Sequence, residues 1–118
     1  MPRGPKTEPS TPLKPAAFLM LLCLAEGEQH GYALKKAVRK RSGGRVDLGP
    51  ATLYRTLESL ARAGLIEESE RRPAPELDDE RRRYYSLTRT GRRAAEAEAL
   101  HLAQLVGEAR AVRVLAES

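Results

Sequence analysis

The sequence predicts a mainly α-helical fold with a small β-hairpin and one long C-terminal helix. Three observations predict it. Leucines recur at helical spacing between residues 50 and 64, strand-like segments at 65–69 and 83–87 flank a polar loop, and residues 89–116 are rich in Ala, Leu, Glu and Arg without proline. The length of 118 residues suits one domain with at most one appended element.

The charge of the chain favours polyanionic partners. A formal net charge of +5 and an isoelectric point near 9.7 fit nucleic acid, although solubility alone also accounts for such a charge. The single cysteine excludes an internal disulfide. The apolar block at residues 16–25 is shorter than the roughly 18 residues of a membrane span. Glu8 and several prolines precede that block, so no secretory signal is predicted and we expect a cytoplasmic protein.

Proline, glycine and apolar residues indicate the first elements. Residues 1–12 hold four of the eight prolines and are expected to form a disordered arm. A first helix is predicted at residues 14–26, because Pro15 suits a first turn and apolar residues cover most of its surface. A second helix is predicted at residues 31–41, and residues 45–48 are the candidate for a third short strand.

The segment from Gln29 to Val46 contains six Lys or Arg residues and no acid. The ordinary interpretation is a solvated helix face. Because the segment immediately precedes the third helix, we predict instead that some of its cations contact phosphates. The candidates in this segment are Lys35, Lys36 and Arg39.

A third helix is predicted at residues 50–63, and it has two different faces. One stripe consists of Leu53, Leu57 and Leu60, and the opposite side carries Ala51, Arg55, Ser59 and Arg62. Gly64 is placed to end this helix. Taken alone, the pattern also fits an ordinary amphipathic surface helix.

The two strand-like segments predict a hairpin with a polar tip. Tyr85 and Leu87 share one face of the second strand, which we expect to be buried. Three consecutive arginines near the tip are candidates to bind phosphate, namely Arg81, Arg82 and Arg83. Pairing of these arginines with the acids beside them, Asp78, Asp79 and Glu80, is the alternative.

The last helix is predicted to begin after Thr88, a suitable N-cap, and to continue to about Ala116. Apolar residues recur along it at alternating spacings of three and four, as in a coiled coil. They are Leu102, Leu105, Ala109, Val112 and Ala116, which we call the seam. So small a domain cannot cover this surface, so we predict that a second copy of the chain covers it. Folding back within the chain is the alternative.

Helices followed by a hairpin with a basic tip are the arrangement of a winged helix-turn-helix, a DNA-binding fold. We therefore predict a winged helix domain at residues 13–88 and a dimerisation helix at residues 89–118. The predicted base contacts are Thr52, Tyr54, Arg55 and Ser59. The predicted phosphate contacts are Lys35, Lys36, Arg39, Arg62, Arg81, Arg82 and Arg83. The alternative function is a winged-helix protein-interaction module that does not bind DNA.

No catalytic site, metal site or cofactor is predicted. Both histidines are isolated in the sequence, and no glycine-rich loop with nucleotide-binding spacing is present. The carboxylates are expected to be solvated or paired with arginine.

The chain resembles the PadR family of bacterial transcriptional regulators over about residues 12–93. Four segments carry the resemblance: His30-Gly31-Tyr32-Ala33-Leu34, Ala51-Thr52-Leu53-Tyr54, Ala63-Gly64-Leu65-Ile66, and the run from Arg83 to Arg92. The resemblance implies a winged-helix homodimer in which the C-terminal helix reaches across to the partner subunit. It also implies repression of nearby genes through a palindromic operator in double-stranded DNA.

Some members of this family release DNA when phenolic acids or hydrophobic drugs bind at the dimer interface. The resemblance therefore suggests a small hydrophobic effector, whose candidate pocket is lined by Phe18, Leu22, Leu102 and Val106. The chain departs from the drug-binding members because it has no Trp and one Phe. An aromatic sandwich for a planar drug is therefore missing.

Overall fold

A computed structural model describes residues 13–69 and 83–116 of the chain. The elements are helix α1 (Pro15–Ala25), strand β1 (Gln29–His30), helices α2 (Gly31–Arg41) and α3 (Pro50–Arg62), strands β2 (Ile66–Ser69) and β3 (Tyr84–Leu87), and helix α4 (Arg89–Ala111). The predicted fold class is confirmed: the architecture is mainly helical, with a small antiparallel sheet and a long last helix.

A local feature marks the start of each helix. Helices α1 and α3 begin with Pro15 and Pro50, whose missing N–H costs nothing in a first turn. The Ala33 N–H donates to Nδ1 of His30 (3.1 Å), so this histidine caps α2. The Gly91 N–H donates to Oγ1 of Thr88 (2.9 Å), which confirms the predicted cap of α4.

The sheet has three strands in the order β1-β3-β2, and both pairings are antiparallel. The prediction of a third strand at residues 45–48 is wrong, because the third strand is Gln29–His30. Ser42 explains the difference in part: its Oγ accepts from the Val46 N–H (2.9 Å), so this backbone is satisfied within a turn. The Gln29–His30 pair instead lies along β3, opposite Tyr85 and Tyr84.

The core lies between α1, α2, α3 and the sheet. The predicted stripe of α3 is confirmed, since Leu53, Leu57 and Leu60 are all buried. Tyr85 is buried as predicted, and Leu87 is half-buried against the same cluster. The remaining core residues come mostly from α1, α2 and the start of α4: Met20, Leu21, Cys23, Leu24, Leu34, Val38, Leu48, Leu65, Ile66, Ala94 and Ala95.

The first turn of α4 lies directly against the end of α3. The Thr88 N–H donates to the Leu65 carbonyl (3.1 Å), and the Thr88 hydroxyl donates to the Gly64 carbonyl (2.7 Å). Gly91 is buried at this junction, and a Cβ built on it would overlap the Leu65 carbonyl oxygen and crowd Leu87. The junction therefore requires glycine, which explains why this residue occurs inside a first helical turn.

Helix α4 ends at Ala111, so the prediction that it continues to about Ala116 is wrong. The end is formed by Arg113, which adopts the left-handed conformation (φ 65°) that usually favours glycine. The N–H groups of Arg113 and Val114 donate back to the carbonyls of Arg110 (3.0 Å) and Ala109 (2.8 Å). Two members of the predicted seam, Val112 and Ala116, consequently lie beyond the helix, and only Leu102, Leu105 and Ala109 remain on it.

Cys23 is expected to be unreactive in the folded chain. The residue is 1% exposed in the core. Burial raises the pKa of its thiol, and the nearby Arg41 guanidinium opposes this shift only in part, so the thiol stays protonated at neutral pH. A maleimide reagent should label the chain rapidly in denaturant and slowly in native buffer. Equal labelling rates in the two conditions would contradict this assignment.

Candidate nucleic-acid interface

The exposed face of α3 carries three polar side chains in one stripe. Thr52, Arg55 and Ser59 follow one another at spacings of three and four and are all exposed, while the leucines opposite them are buried. Pro50 and Gly49 at the start of the helix are also exposed. The structure thus brings together three of the four residues that the sequence predicts as base contacts. They lie on α3, whose N-terminal end is exposed.

A cleft of about 660 Å³ lies beside this stripe, between α3 and the start of α1. One wall contains Thr52, Arg55 and Ser59, and the other contains Leu13, Lys14 and two alanines. None of the residues that line the cleft is acidic. Lys14 is a cation that the sequence analysis missed. Its position directly before the helix-starting Pro15 was the available signal.

Tyr54, the fourth predicted base contact, does not lie on the exposed stripe. Its side chain is half-buried and packs against the hydrophobic core. A Cβ built on Gly31 would lie 3.0 Å from the Tyr54 hydroxyl oxygen, so the ring lies against the first turn of α2. The structure therefore separates this tyrosine from the other three residues and places it between α2 and α3.

Arg55 differs from the four paired candidate cations, Lys35, Arg39, Arg62 and Arg83. In residues 13–69 and 83–116, no carboxylate lies within ion-pair distance of its guanidinium. The side chain is exposed on α3 and borders the cleft. Within the described residues, no carboxylate competes with a ligand for the donors of this guanidinium.

Two of the cations predicted on α2 share one carboxylate. Lys35 Nζ lies 3.2 Å from Oδ1 of Asp47, and Arg39 Nε lies 3.6 Å from Oδ2 of the same residue. The third, Lys36, has its ammonium 5.0 Å from the centre of the Tyr32 ring, a distance suited to a cation–π contact. All three cations lie on α2 beside the loop that leads into α3.

The remaining predicted phosphate contacts are paired or lie outside the described residues. Arg62 Nη2 is 2.8 Å from Oε2 of Glu58, one turn earlier on α3. Arg83 Nε is 3.2 Å from Oε2 of Glu68, across the hairpin on β2. Arg81, Arg82 and the neighbouring acids at residues 78–80 lie outside the described residues, so their predicted roles stay predictions.

The apolar surface of α4 is uncovered in the single chain. Leu102 is 38% exposed and Leu105 is 48% exposed, whereas Ala94 and Ala95 at the start of the helix are buried. In the described part of the chain, no segment folds back over Leu102 and Leu105 to bury them. An apolar helix face is thus left in water, which is the physical reason for the prediction that a partner chain covers it. That covering stays a prediction.

The four residues of the predicted effector pocket occupy two different environments. Phe18 and Leu22 are half-buried on α1, while Leu102 and Val106 are exposed on the outer part of α4. The large cleft beside α3 is lined by none of them. The effector pocket therefore stays a prediction.

One carboxylate departs from the expectation that acids are solvated or paired with arginine. Glu98 on α4 is only 8% exposed, and its Oε1 accepts the Leu13 N–H at 3.3 Å. This contact fixes the point at which the chain enters α1. No sequence signal marked it, because its partner is a backbone group 85 residues away.

Within residues 13–69 and 83–116, no group of three or more His, Cys, Asp or Glu side chains could hold a metal ion. In the same part of the chain, no helix combines the length and apolar character needed to cross a membrane.

The chain matches a known protein family and one curated protein. The family model of the transcriptional regulator PadR-like family matches residues 20–97. A curated relative, described as an uncharacterized 37.1 kDa protein in transposon TN4556 of Streptomyces fradiae, is 40% identical over 92 residues. The match covers 78% of this chain and 24% of that protein, so the chain spans about a quarter of the relative's length.

Two solved structures are similar in fold. A PadR family transcription regulator from Clostridium difficile R20291 superposes with a TM-score of 0.70 at 20% identity, covering 86% of this chain and all 100% of that one. Bacillus subtilis PadR, solved in complex with operator DNA, gives a TM-score of 0.62 at 21% identity, covering 74% of this chain and 46% of that one. At these identities the likeness shows the fold.

Proposed function

Because the chain belongs to the transcriptional regulator PadR-like family, whose model matches residues 20–97, we propose that it is a homodimeric DNA-binding repressor that recognises a palindromic operator. The observation that carries this proposal is the exposed stripe of Thr52, Arg55 and Ser59 on α3. The complex of Bacillus subtilis PadR with operator DNA supports it, since that protein shares the fold. The site of action would be the cytoplasm, where bacterial DNA lies.

Helix α3 would lie in the major groove, which admits an α-helix and presents a distinct donor and acceptor pattern for each base pair. Arg55 would contact guanine through two hydrogen bonds, and the hydroxyls of Thr52 and Ser59 would contact neighbouring base edges or phosphates. In the described part of the chain, Arg55 has no competing carboxylate, so a guanine contact would cost no internal ion pair.

We assign Tyr54 a positioning role in place of the predicted base contact. Its ring lies between α3 and the first turn of α2, against Gly31. A half-buried ring at this point would fix the angle between the two helices and thereby the orientation of α3 in the groove.

The phosphate contacts would come mainly from α2 and the hairpin. Lys35, Lys36 and Arg39 precede α3 in the chain, and Arg83 lies at the base of the hairpin loop. Such contacts fix the register of the protein on the duplex without selecting its sequence. Two copies related by a two-fold axis would place the α3 helices one helical turn of DNA apart, about 34 Å.

The Arg55→Ala variant is expected to bind its operator about 1–3 kcal/mol more weakly and to lose preference at one base position of each half-site. The operator would first be obtained by selecting bound sequences from a random duplex pool with the purified chain. Fluorescence anisotropy on that operator and on single-base variants then measures the loss. Arg93→Ala, which removes an exposed arginine from α4, is the matched control. Unchanged affinity and unchanged base preference in Arg55→Ala would refute the assignment.

A winged-helix module that binds a protein and not DNA is the second candidate. The observation that favours it is that the cations Lys35, Arg39 and Arg62 are already paired with carboxylates. Salt dependence separates the two functions. Several phosphate contacts make duplex affinity fall steeply with salt, whereas an interaction module would bind duplex poorly at every salt concentration.

A further inference from the structure

Asp47 lies within the candidate interface, and the proposed function gives this residue no role. Between Gln29 and Leu57 the sequence contains seven Lys or Arg residues and this one acid. Its carboxylate lies in the loop before α3, with one oxygen 3.2 Å from Lys35 Nζ and the other 3.6 Å from Arg39 Nε. The lone acid of this basic segment is thus in contact with two cations at once.

The arrangement around Asp47 resembles a phosphate contact. Lys35 and Arg39 are one turn apart on α2, so their charged groups can hold two oxygens of one anion. A carboxylate and a phosphate diester both present two such oxygens, and Lys and Arg bind either group. The side chains of Arg39 and Asp47 are 64% and 55% exposed, whereas that of Lys35 is 28% exposed, so a larger anion can reach the pair from solvent on the Arg39 side.

We propose that Asp47 is an internal competitor for DNA phosphate. The carboxylate occupies the Lys35–Arg39 pair in the free chain, and a phosphate of bound DNA takes its place. Asp47 thereby lowers the sequence-independent part of the affinity for DNA and limits the time that the chain spends on non-operator sequence. This inference rests on the proposed DNA-binding function and adds a residue that adjusts its strength.

Exposed ion pairs are weak, and this makes the exchange feasible. The alternative to a competitor is a positioning residue. In that role Asp47 would hold the two cations in place and join α2 to the loop before α3. The two roles predict effects of opposite sign. Removing a competitor strengthens DNA binding, whereas removing a positioning residue weakens it.

The test compares Asp47→Asn with the wild-type chain on a labelled random-sequence DNA duplex. Asparagine keeps the shape of the side chain and removes its charge. We expect affinity to rise about threefold to tenfold at low salt, the range that loss of one weak ion pair and one repulsive charge allows. The slope of log affinity against log salt should steepen by up to about one, as for one added phosphate contact.

Two comparisons isolate the effect from net charge. Glu96→Gln makes the same charge change at an exposed position on α4, away from the Lys35–Arg39 pair, and should raise affinity far less. Asp47→Asn introduced together with Lys35→Gln and Arg39→Gln should give no gain over the double cation variant. Circular dichroism melting establishes that each variant is folded, and Asp47→Ser serves as a second variant if Asp47→Asn is not.

The outcomes separate the inference from the function on which it rests. If the wild-type chain binds duplex with a steep salt dependence and Asp47→Asn binds equally or more weakly, the competitor role is overturned and the proposed function stands. A gain of the same size in Glu96→Gln also overturns it. If the wild-type chain binds neither this duplex nor any sequence selected from a random pool, the proposed function fails and the inference fails with it.

Discussion

Gly91→Ala is expected to destabilise the chain by about 2–3 kcal/mol, the upper part of the range for an overpacked site. The added methyl group would overlap the Leu65 carbonyl oxygen and would also crowd Leu87. Neither neighbour can move freely: the Leu65 carbonyl accepts the Thr88 N–H at 3.1 Å, and Leu87 is paired with Ile66 in the sheet. Relief would require α4 to move away from the end of α3, which would break this junction.

Gly107→Ala is the matched control for this prediction. Gly107 lies in the same helix, and a Cβ built on it meets no atom within 4 Å. Alanine there should stabilise the chain by about 0.5–1 kcal/mol, because glycine is a poor helix former. Urea unfolding followed by circular dichroism measures both free energies. Equal effects of the two substitutions would show that helix propensity, and not contact with Leu65, determines the cost at Gly91.

Leu105→Glu is expected to make the chain monomeric and to reduce operator affinity by a factor of about 10²–10⁴, because each half-site would then be bound singly. Leu105 lies in the middle of the three seam residues that remain on α4 and is 48% exposed in the single chain. A charge there would be buried without a partner in a dimer, yet it would remain solvated in the monomer. The effect should therefore fall on association and not on folding of the single chain.

Ala103→Glu separates this effect from charge alone. Ala103 is exposed on α4, and at 100° per residue its side chain points about 160° away from Leu105. Light scattering on a sizing column gives the oligomeric state of both variants, and gel shift on the selected operator gives their affinities. A Leu105→Glu chain that remains dimeric would place the interface elsewhere.

Local patterns predicted much of the fold. The leucine stripe of α3, the two hairpin strands and the Thr88 cap depend on residues close together in the sequence, and all are confirmed. The third strand was misplaced because a two-residue strand has little pattern of its own. Gln29–His30 is a strand because β3 passes beside it, more than fifty residues later. The end of α4 was missed because Arg113 adopts a conformation that sequence reasoning assigns to glycine.

In the candidate site, too, features set within one helix were predictable and contacts between elements were not. Thr52, Arg55 and Ser59 share a face because helical spacing fixes their directions, and this was predictable. Tyr54 lies on the flank of that stripe, where contact with Gly31 of another helix decides its orientation. The Lys35–Asp47–Arg39 contact likewise joins a helix to a loop. Contacts between elements depend on packing angles that a single sequence does not reveal.

The early end of α4 has a consequence for how the regulator would respond to its own abundance. Only three seam residues remain on the helix, so the seam of the proposed helix pair would bury less apolar surface than one continuing to Ala116, and the pair would dissociate more readily on dilution. When most chains are free monomers, the concentration of dimers follows the square of the chain concentration. Halving the cellular amount of the chain would then lower the dimer available to the operator about fourfold. The proposed repressor would then release its target after modest dilution during growth, without any ligand.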